Sequence, residues 1–224
     1  MTEIRSVRPP TTQEAVLAEM RRLIASGEMR PGAQVVQDSL AEELGVSRVP
    51  LREALKTLEA EGLVTYRPHH GYFVTELSLD DLLEVYRIRE LLETEAVTTA
   101  LPLLTAGDVD RLAEAEEDIR RAAAATEIFS MAQANRRFHF ALIEGCGRPR
   151  LIRLIGVLWD STEVYRSVYF TDEVNRDRVD HEHRRLVAAI QDRDLDAVLH
   201  VLDEHRRHAI EALRPVLEAV GRPD

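Results

Sequence analysis

Apolar residues recur with a helical period over most of the chain. The first amphipathic stripe stops before Gly27 and predicts a helix. Its members are Val16, Leu17, Met20, Leu23 and Ile24. A short second helix is predicted over 40–44, and Gly45 ends it because glycine enters the left-handed cap conformation freely. A third helix begins after Ser47, which is a favourable N-cap residue, and stops at Gly62.

Two short runs rich in β-branched and aromatic residues follow these helices. They cover 63–66 and 72–75 and flank the sequence His69-His70-Gly71. Runs of this length around a glycine-containing turn predict a β-hairpin. The N-terminal part, 1–77, is therefore predicted to be a small helix–hairpin domain.

Strand signals disappear after Ser78, and the helical period continues to the end of the chain. The second domain, 78–224, is therefore predicted to be an all-α bundle of about six helices, which makes the protein mainly α. The predicted helices cover 79–100, 108–125, 127–145, 149–170, 175–192 and 195–219.

The third predicted helix has two distinct faces. Its apolar positions are Leu51, Ala54, Leu55 and Leu58. Arg48, Arg52 and Lys56 lie four residues apart on another face. The small Ala41 would let two helices cross closely, and Gly45 would allow the tight turn between them. This combination is typical of a helix-turn-helix, whose second helix enters the major groove of DNA.

Arginine suits that role because its guanidinium pairs with guanine O6 and N7 through two hydrogen bonds. The hairpin would form a wing, where Gly71 lets the backbone approach a phosphate. Three cations on one helix would also fit a solvated face, but the turn and the hairpin together favour DNA contact. The predicted DNA-contacting residues are Arg48, Val49, Arg52, Lys56, His70 and Gly71.

Four polar residues in the second domain lie in phase with apolar stripes: Asn135, His139, His183 and His205. Burying an unpaired imidazole or amide costs about 1–3 kcal/mol, so these groups need partners. Two hypotheses follow. The groups either form a hydrogen-bonded network, or three imidazoles and an amide oxygen bind a divalent metal inside the bundle.

Composition narrows the class of protein. The 224 residues include one cysteine, Cys146, which excludes a disulfide scaffold and fits a reducing compartment. No apolar run approaches the ~18 residues of a membrane span, and the N-terminus has no signal-peptide pattern. A protein of the cytoplasm that does not enter a membrane is therefore expected.

The net charge of −11 argues at first against nucleic acid as a partner. Its distribution changes that interpretation. Residues 1–77 carry nine basic and eleven acidic side chains, a net charge of −2, whereas 78–224 carry twenty and twenty-nine, a net charge of −9. The acidity belongs mainly to the second domain.

The first domain resembles the winged helix-turn-helix of GntR family transcriptional regulators. The resemblance spans most of 13–75 and rests on LIASGEMRPG at 23–32, LAEELGVSRVPLREAL at 40–55 and EGLV at 61–64. It implies that Arg48 and Arg52 contact DNA bases, with assistance from the wing. Some members carry a DNA-contacting arginine where this chain has Asp38, so their operator preference is not expected here.

The second domain resembles the FCD (FadR C-terminal) ligand-binding domain over about 80–216. NRRFHFAL at 135–142, GRPRL at 147–151, Glu182-His183 and His205 carry this resemblance. It implies that Asn135, His139, His183 and His205 hold a divalent metal. Asn135 stands where many members have aspartate, so the site has one negative charge fewer. Three nitrogens and one oxygen suit Zn²⁺ first, with Ni²⁺ or Co²⁺ as alternatives.

The FCD resemblance also implies an organic acid as effector. Arg89 lies in phase with apolar neighbours and would bind its carboxylate, unless it pairs with Glu93 instead. Tyr165 is a second effector-binding candidate.

The complete hypothesis is a homodimeric regulator, a repressor, that binds a palindromic operator and responds to a small carboxylate. One alternative keeps the regulator and omits the metal. Another is a metal-dependent enzyme, although no general base accompanies the histidines in the sequence.

Overall fold

The computed structural model describes residues 11–220 as an N-terminal head followed by a helical bundle. The head contains three helices and a three-stranded antiparallel sheet of order β1-β3-β2. In chain order its elements are α1 (Thr12–Ala25), β1 (Gln34–Val35), α2 (Gln37–Glu43), α3 (Arg48–Ala60), β2 (Val64–Arg67) and β3 (Gly71–Val74). The mainly α fold with an N-terminal winged helix-turn-helix is confirmed.

The head is held together by α1 and α3. Thr11 caps α1 through a reciprocal capping box with Glu14, which satisfies the free N–H groups of the first turn. Val16, Met20 and Ile24 are buried on the face of α1 that packs against α3. The turn between α2 and α3 contains Gly45 at φ +66°, the left-handed conformation that the sequence predicts.

The wing forms as predicted, and a short strand joins it that the sequence did not reveal. Strands β2 and β3 pair from Val64 with Val74 to Arg67 with Gly71. Strand β1 pairs with the other edge of β3, as Gln34 lies opposite Phe73. Two residues are too few to show the alternation of polar and apolar positions that identifies a strand.

The bundle has seven α-helices within the described residues, one more than the sequence predicts. Two 3₁₀ turns, Leu101–Leu103 and Glu144–Cys146, follow α4 and α6. The helices are α4 (Leu79–Ala100), α5 (Ala106–Ala124), α6 (Ile128–Ile143), α7 (Pro149–Ser161), α8 (Glu163–Phe170), α9 (Glu173–Gln191) and α10 (Leu195–Val220).

The extra helix arises because the predicted helix over 149–170 is interrupted. Thr162 leaves the helical conformation at φ −99° and ψ 12°, and its hydroxyl donates to the carbonyl oxygens of Leu158 and Trp159. A threonine that bonds the preceding turn competes with the helical hydrogen bonds. The chain therefore changes direction at Thr162, and α8 runs separately from α7.

The head and the bundle touch at the α7–α8 junction. Gly62, just after α3, approaches so closely that a Cβ built on it would lie 3.3 Å from Cβ of Ser161. The Tyr165 hydroxyl accepts from the backbone N–H of Ser78 at 2.9 Å, at the start of α4. The predicted domain boundary at 77/78 lies beside this bond. No helix within residues 11–220 has the length and apolar character to cross a membrane.

Candidate DNA-contacting surface and buried histidine site

Helix α3 presents its cations outward, because its apolar face is fully used by the head core. Leu51, Leu55 and Leu58 are each 0% exposed. On the opposite side Arg48 and Arg52 line an open groove together with His70 and Gly71 of the wing. The structure therefore brings four of the six predicted DNA-contacting residues to one surface.

The other two predicted residues lie on the same helix but outside this groove. Val49 is 70% exposed, which is unusual for an apolar side chain and leaves it available to a partner. Lys56 pairs with Glu53 at 2.8 Å, one turn away on α3. Arg48 also has an internal partner, since its Nε lies 2.7 Å from Oδ1 of Asp38. This exposed pair has little energetic weight and is free to open when DNA approaches.

Inside the bundle, three imidazoles from three helices meet. His139 on α6, His183 on α9 and His205 on α10 have ring centroids 5.1–5.4 Å apart. Each offers one ring nitrogen, and these nitrogens lie within 4.8 Å of one another. His139 and His183 are almost completely buried, and His205 is partly buried. The histidines that the sequence places in phase therefore form one cluster.

Hydrogen bonds behind two of the rings orient them toward the centre of the cluster. The Nδ1 of His183 lies 2.8 Å from the carbonyl oxygen of Val179, to which it donates. The Nδ1 of His205 lies 2.6 Å from Oε2 of Glu182, whose other oxygen is 2.6 Å from Nδ1 of His208. With Nδ1 protonated, Nε2 of both His183 and His205 carries a free lone pair.

The protonation states favour a cation in this cluster. Burial, reinforced by His205, lowers the pKa of His183 to about 3. Burial followed by the neighbouring His183 and His205 lowers the pKa of His139 well below its ordinary value. Burial alone would raise the pKa of Glu182, but the hydrogen bonds from His205 and His208 lower it to about 2. The imidazoles of His139 and His183 are therefore neutral beside a charged carboxylate, and ligation of a metal requires a neutral imidazole.

Asn135 supplies the test of whether a metal fits. Its side chain is 1% exposed, one turn before His139, and its Oδ1 has no hydrogen-bond partner among the described residues. A buried carbonyl oxygen without a partner is costly unless a cation or a water satisfies it. The donor set of three imidazoles and one unsatisfied oxygen fits a borderline divalent ion such as Zn²⁺. A direct His139–His183 hydrogen bond at 3.2 Å is the alternative that a metal-free network would use.

Next to the histidines lies a cluster of buried charges. Glu93 is 2% exposed and accepts from Nε of Arg89 at 2.9 Å, from Nη1 of Arg206 at 3.1 Å and from Nε1 of Trp159 at 2.6 Å. Burial opposes ionisation, yet the two guanidinium groups outweigh it and lower the pKa of Glu93. Arg89 thus points inward and pairs with Glu93, and its role toward an effector carboxylate stays a prediction.

The structure brings Arg89, but not Tyr165, to the histidine site. Arg89 lines a narrow cavity that Asn135 and His205 also line. The Tyr165 hydroxyl instead lies 3.0 Å from Oδ2 of Asp81 and contacts the backbone of Ser78. Tyr165 therefore connects α8 to the start of α4, and its hydroxyl is already satisfied there.

Two arginines of this cavity were missed at the sequence level. Arg166 and Arg206 are 5% and 7% exposed and line the same cavity as Arg89. Arg206 directly follows His205 on α10, and both side chains are at least partly buried. Because consecutive helical positions point in different directions, the stripe that contains His205 does not predict the burial of Arg206. Arg166 lies beyond the unpredicted break at Thr162, which shifts the phase of every position in α8.

Similarity to known proteins agrees with both parts of this geometry. Residues 12–74 match the bacterial regulatory proteins of the gntR family, and residues 84–208 match the FCD domain. The chain belongs to the gntR family, in its FCD-containing branch. It is a DNA-binding transcriptional regulator and not an enzyme.

Relatives of the regulator match along most of their length. The transcriptional regulator McbR of Escherichia coli is 29% identical over 199 residues, covering 87% of this chain and 89% of McbR. The Nta operon transcriptional regulator of Aminobacter aminovorans is 30% identical over 199 residues, covering 86% and 91%. The solved structure of E. coli McbR/YncC has a TM-score of 0.80 at 26% identity, covering 92% of this chain and 99% of that one.

Proposed function

We propose that this regulator is a homodimeric repressor whose affinity for a palindromic operator is controlled by a small organic acid bound in the bundle. A divalent metal, Zn²⁺ in the first place, would be held by Asn135, His139, His183 and His205. The observation that carries the proposal is the three-histidine cluster, of which His205 lines the same cavity as Arg89 and Asn135.

The DNA-contacting role of α3 is tested with Arg52→Ala. We expect a loss of about 1–3 kcal/mol in specific binding to the upstream region in an electrophoretic mobility-shift assay, with relaxed base preference at one position. Arg120→Ala is the matched control, since Arg120 is an exposed arginine of α5 in the bundle. Unchanged specific binding by Arg52→Ala would contradict the recognition-helix assignment.

The metal is tested by elemental analysis of protein purified without a histidine tag. We expect about one divalent ion per chain, because the unsatisfied Asn135 oxygen and the free lone pairs of the imidazoles would coordinate it. His183→Ala should lose the ion, whereas His200→Ala should keep it, since His200 is exposed. A ratio near zero in the unaltered protein supports the hydrogen-bonded network instead.

The effector role follows from the chemistry beside the cluster. A bound metal would act as a Lewis acid that accepts a carboxylate oxygen, and Arg89 offers a charged donor in the same cavity. Release of operator DNA by a panel of small organic acids, followed in the mobility-shift assay, tests this role and the sign of regulation. One relative, GlaR of E. coli, is named a repressor at 28% identity. Tighter operator binding in the presence of the acid would contradict release of the operator by the effector.

The homodimer is supported by an exposed apolar surface on the bundle. Ile88 and Leu91 of α4 lie on the outside, as do Leu154 and Val157 of the neighbouring α7, and they are 37–56% exposed. A contiguous apolar patch of this kind marks an interaction surface. Light scattering should give a dimer, and Leu91→Arg with Leu154→Arg should give a monomer. Val174→Arg on α9 is the control, as Val174 is equally exposed.

A further inference from the structure

The buried charges of the bundle do not balance. Three guanidinium groups, those of Arg89, Arg166 and Arg206, line one narrow cavity. Glu93 is the carboxylate that bonds two of them, Arg89 and Arg206. Two of the three guanidinium groups therefore share one carboxylate, and Arg166 forms no ion pair among residues 11–220. Burying a charge without a partner costs several kcal/mol, so an imbalance of this kind favours binding of an anion.

Arg166 is the arginine that this pairing leaves out. Its Nη1 donates to Oγ1 of Thr162 at 2.7 Å, and its guanidinium stacks 4.7 Å from the ring centre of Trp159. Its Nε is buried and has no hydrogen-bond partner among residues 11–220. Burial lowers the pKa of Arg166 to about 10. It remains a cation at neutral pH and holds an unused donor.

The charge of Glu163 raises the pKa of Arg166 against the larger effect of burial, but Glu163 forms no ion pair with it. Glu163 lies one turn before Arg166 on α8, and burial raises the pKa of Glu163. Within the described residues no carboxylate oxygen lies within 4.0 Å of the Arg166 guanidinium, whereas Arg89 and Arg206 both have one. Arg176 is another buried arginine, and it has backbone hydrogen-bond acceptors instead of a carboxylate. Arg176 donates to the carbonyl oxygens of Phe170 and Thr171.

The cavity between these groups is narrow and holds about 20 Å³, which is room for about one water. An effector of several atoms therefore enters only when a lining side chain moves. We expect Arg166 to be the side chain that moves, because its guanidinium has one hydrogen-bond partner in the part of the chain that the structure describes, the hydroxyl of Thr162. An anionic group of the effector would replace that weak bond with a charge-assisted pair.

We propose that Arg166 binds a second acidic group of the effector, so that the effector is a small dianion rather than a monocarboxylate. This inference rests on the proposed function, in which the first acidic group binds beside Arg89 and the histidines. The second group is a carboxylate or a phosphate on a short carbon frame, because both subsites share one cavity. Arg166 thereby determines the specificity of the regulator for its effector.

The test measures binding of matched acids to the full chain, as purified and after loading with Zn²⁺, by isothermal titration calorimetry. The dianions are malonate, succinate, glutarate and phosphoglycolate, and the monoanions are acetate, propionate and butyrate. At least one dianion should bind about tenfold or more tightly than the monoanions, and Arg166→Met should abolish that preference. Phosphoglycolate as the tightest ligand identifies the second group as a phosphate, and a dicarboxylate as the tightest identifies it as a carboxylate.

Thermal unfolding without ligand separates a binding role from a structural one. Replacing an unpaired buried cation by an apolar side chain of similar length should leave the Tm of Arg166→Met unchanged or raised. Arg176→Met is the matched control and should lower the Tm, because it removes a buried guanidinium that donates to two backbone carbonyl oxygens.

Three results would overturn the proposal: no dianion binding above the monoanions, a dianion preference that survives in Arg166→Met, or an Arg166→Met protein that is as unstable as Arg176→Met or does not fold. The mobility-shift assay keeps this outcome distinct from that of the proposed function. A dianion that binds through Arg166 without changing operator affinity contradicts the effector role alone. Operator release by a monocarboxylate with no dianion preference contradicts the inference alone.

Discussion

Asn135 occupies the buried face of α6 with an unsatisfied carbonyl oxygen, one turn before His139. An aspartate at this position would bring a negative charge to the three imidazoles. The amide adds no charge, which lowers the cost of an empty cluster and would also weaken its attraction for the proposed cation. The residue at this position would therefore set metal affinity against the stability of the metal-free protein.

Asn135→Asp should tighten Zn²⁺ binding by about tenfold, equivalent to ~1.4 kcal/mol, because a carboxylate replaces an amide oxygen at the site. The same variant should unfold at a lower temperature when metal-free, since its charge is then buried without a partner. Chelator competition measures the first effect and a thermal scan the second. Gln133→Glu adds the same charge on a partly exposed position of α6 and should change neither. Equal affinity in Asn135→Asp and the unaltered protein argues against Asn135 as a ligand.

Acid should destabilise the metal-free protein through the buried histidines. The pKa of His183 is about 3 in the folded protein against an ordinary 6.5, so the unfolded chain binds more protons between these values. The stability is therefore fully present above pH 6.5 and is lost progressively as the pH falls toward 3. Denaturant titrations at several pH values measure this slope. His183→Asn should flatten it, while His181→Asn should not, because His181 is exposed.

The break between α7 and α8 contacts both the cavity of the bundle and the DNA-binding head. Thr162 at the break bonds Arg166 and approaches Arg89 in the cavity, and the preceding Ser161 touches Gly62 of the head. An element that contacts both the proposed effector cavity and the DNA-binding head is a candidate route for coupling between them. The close approach at Gly62 requires a residue without a side chain there.

Gly62→Ala should destabilise the protein by more than about 1 kcal/mol, for two reasons. Gly62 has φ +77°, which strains any residue with a Cβ, and that Cβ would also press on Ser161. Gly27→Ala isolates the first reason, because Gly27 has φ +76° with nothing within 4 Å of the added Cβ. Chemical denaturation of both variants measures the difference. Equal losses would show that the head and the bundle do not press together at this point.

Charge is distributed unevenly over the whole molecule. The net charge of −11 is concentrated in the bundle, while the head presents Arg48 and Arg52 on one surface. Phosphate attraction grows with the number of cations that meet the backbone, and the acidic bundle opposes it at long range. Specific contacts to the bases must therefore contribute a large share of operator affinity, together with the geometry of the proposed dimer.

Binding to non-operator DNA should accordingly be weak, with a Kd of about 100 µM at physiological salt and a steep decline as salt increases. Fluorescence anisotropy over a salt series measures both quantities. Asp110→Asn with Asp203→Asn removes two exposed bundle charges and should strengthen non-operator binding without changing base preference. Tight non-operator binding that persists at high salt would contradict the expectation that contacts to the phosphates contribute little to the binding free energy.

The sequence by itself determined the features that depend on local spacing. The face of α3 with Arg48 and Arg52, the turn at Gly45, the wing and the inward phase of His139 and His183 all follow from periodicity along one element. Such patterns are visible because a helix repeats every 3.6 residues whatever surrounds it.

Only the tertiary structure decided which of these faces meet. It brought three histidines from three helices together, directed the Tyr165 hydroxyl to Ser78, and left Arg166 without a carboxylate in a narrow cavity. The physical reason is that proximity between helices depends on loop paths and on the break at Thr162. Neither has a periodic signature in the chain.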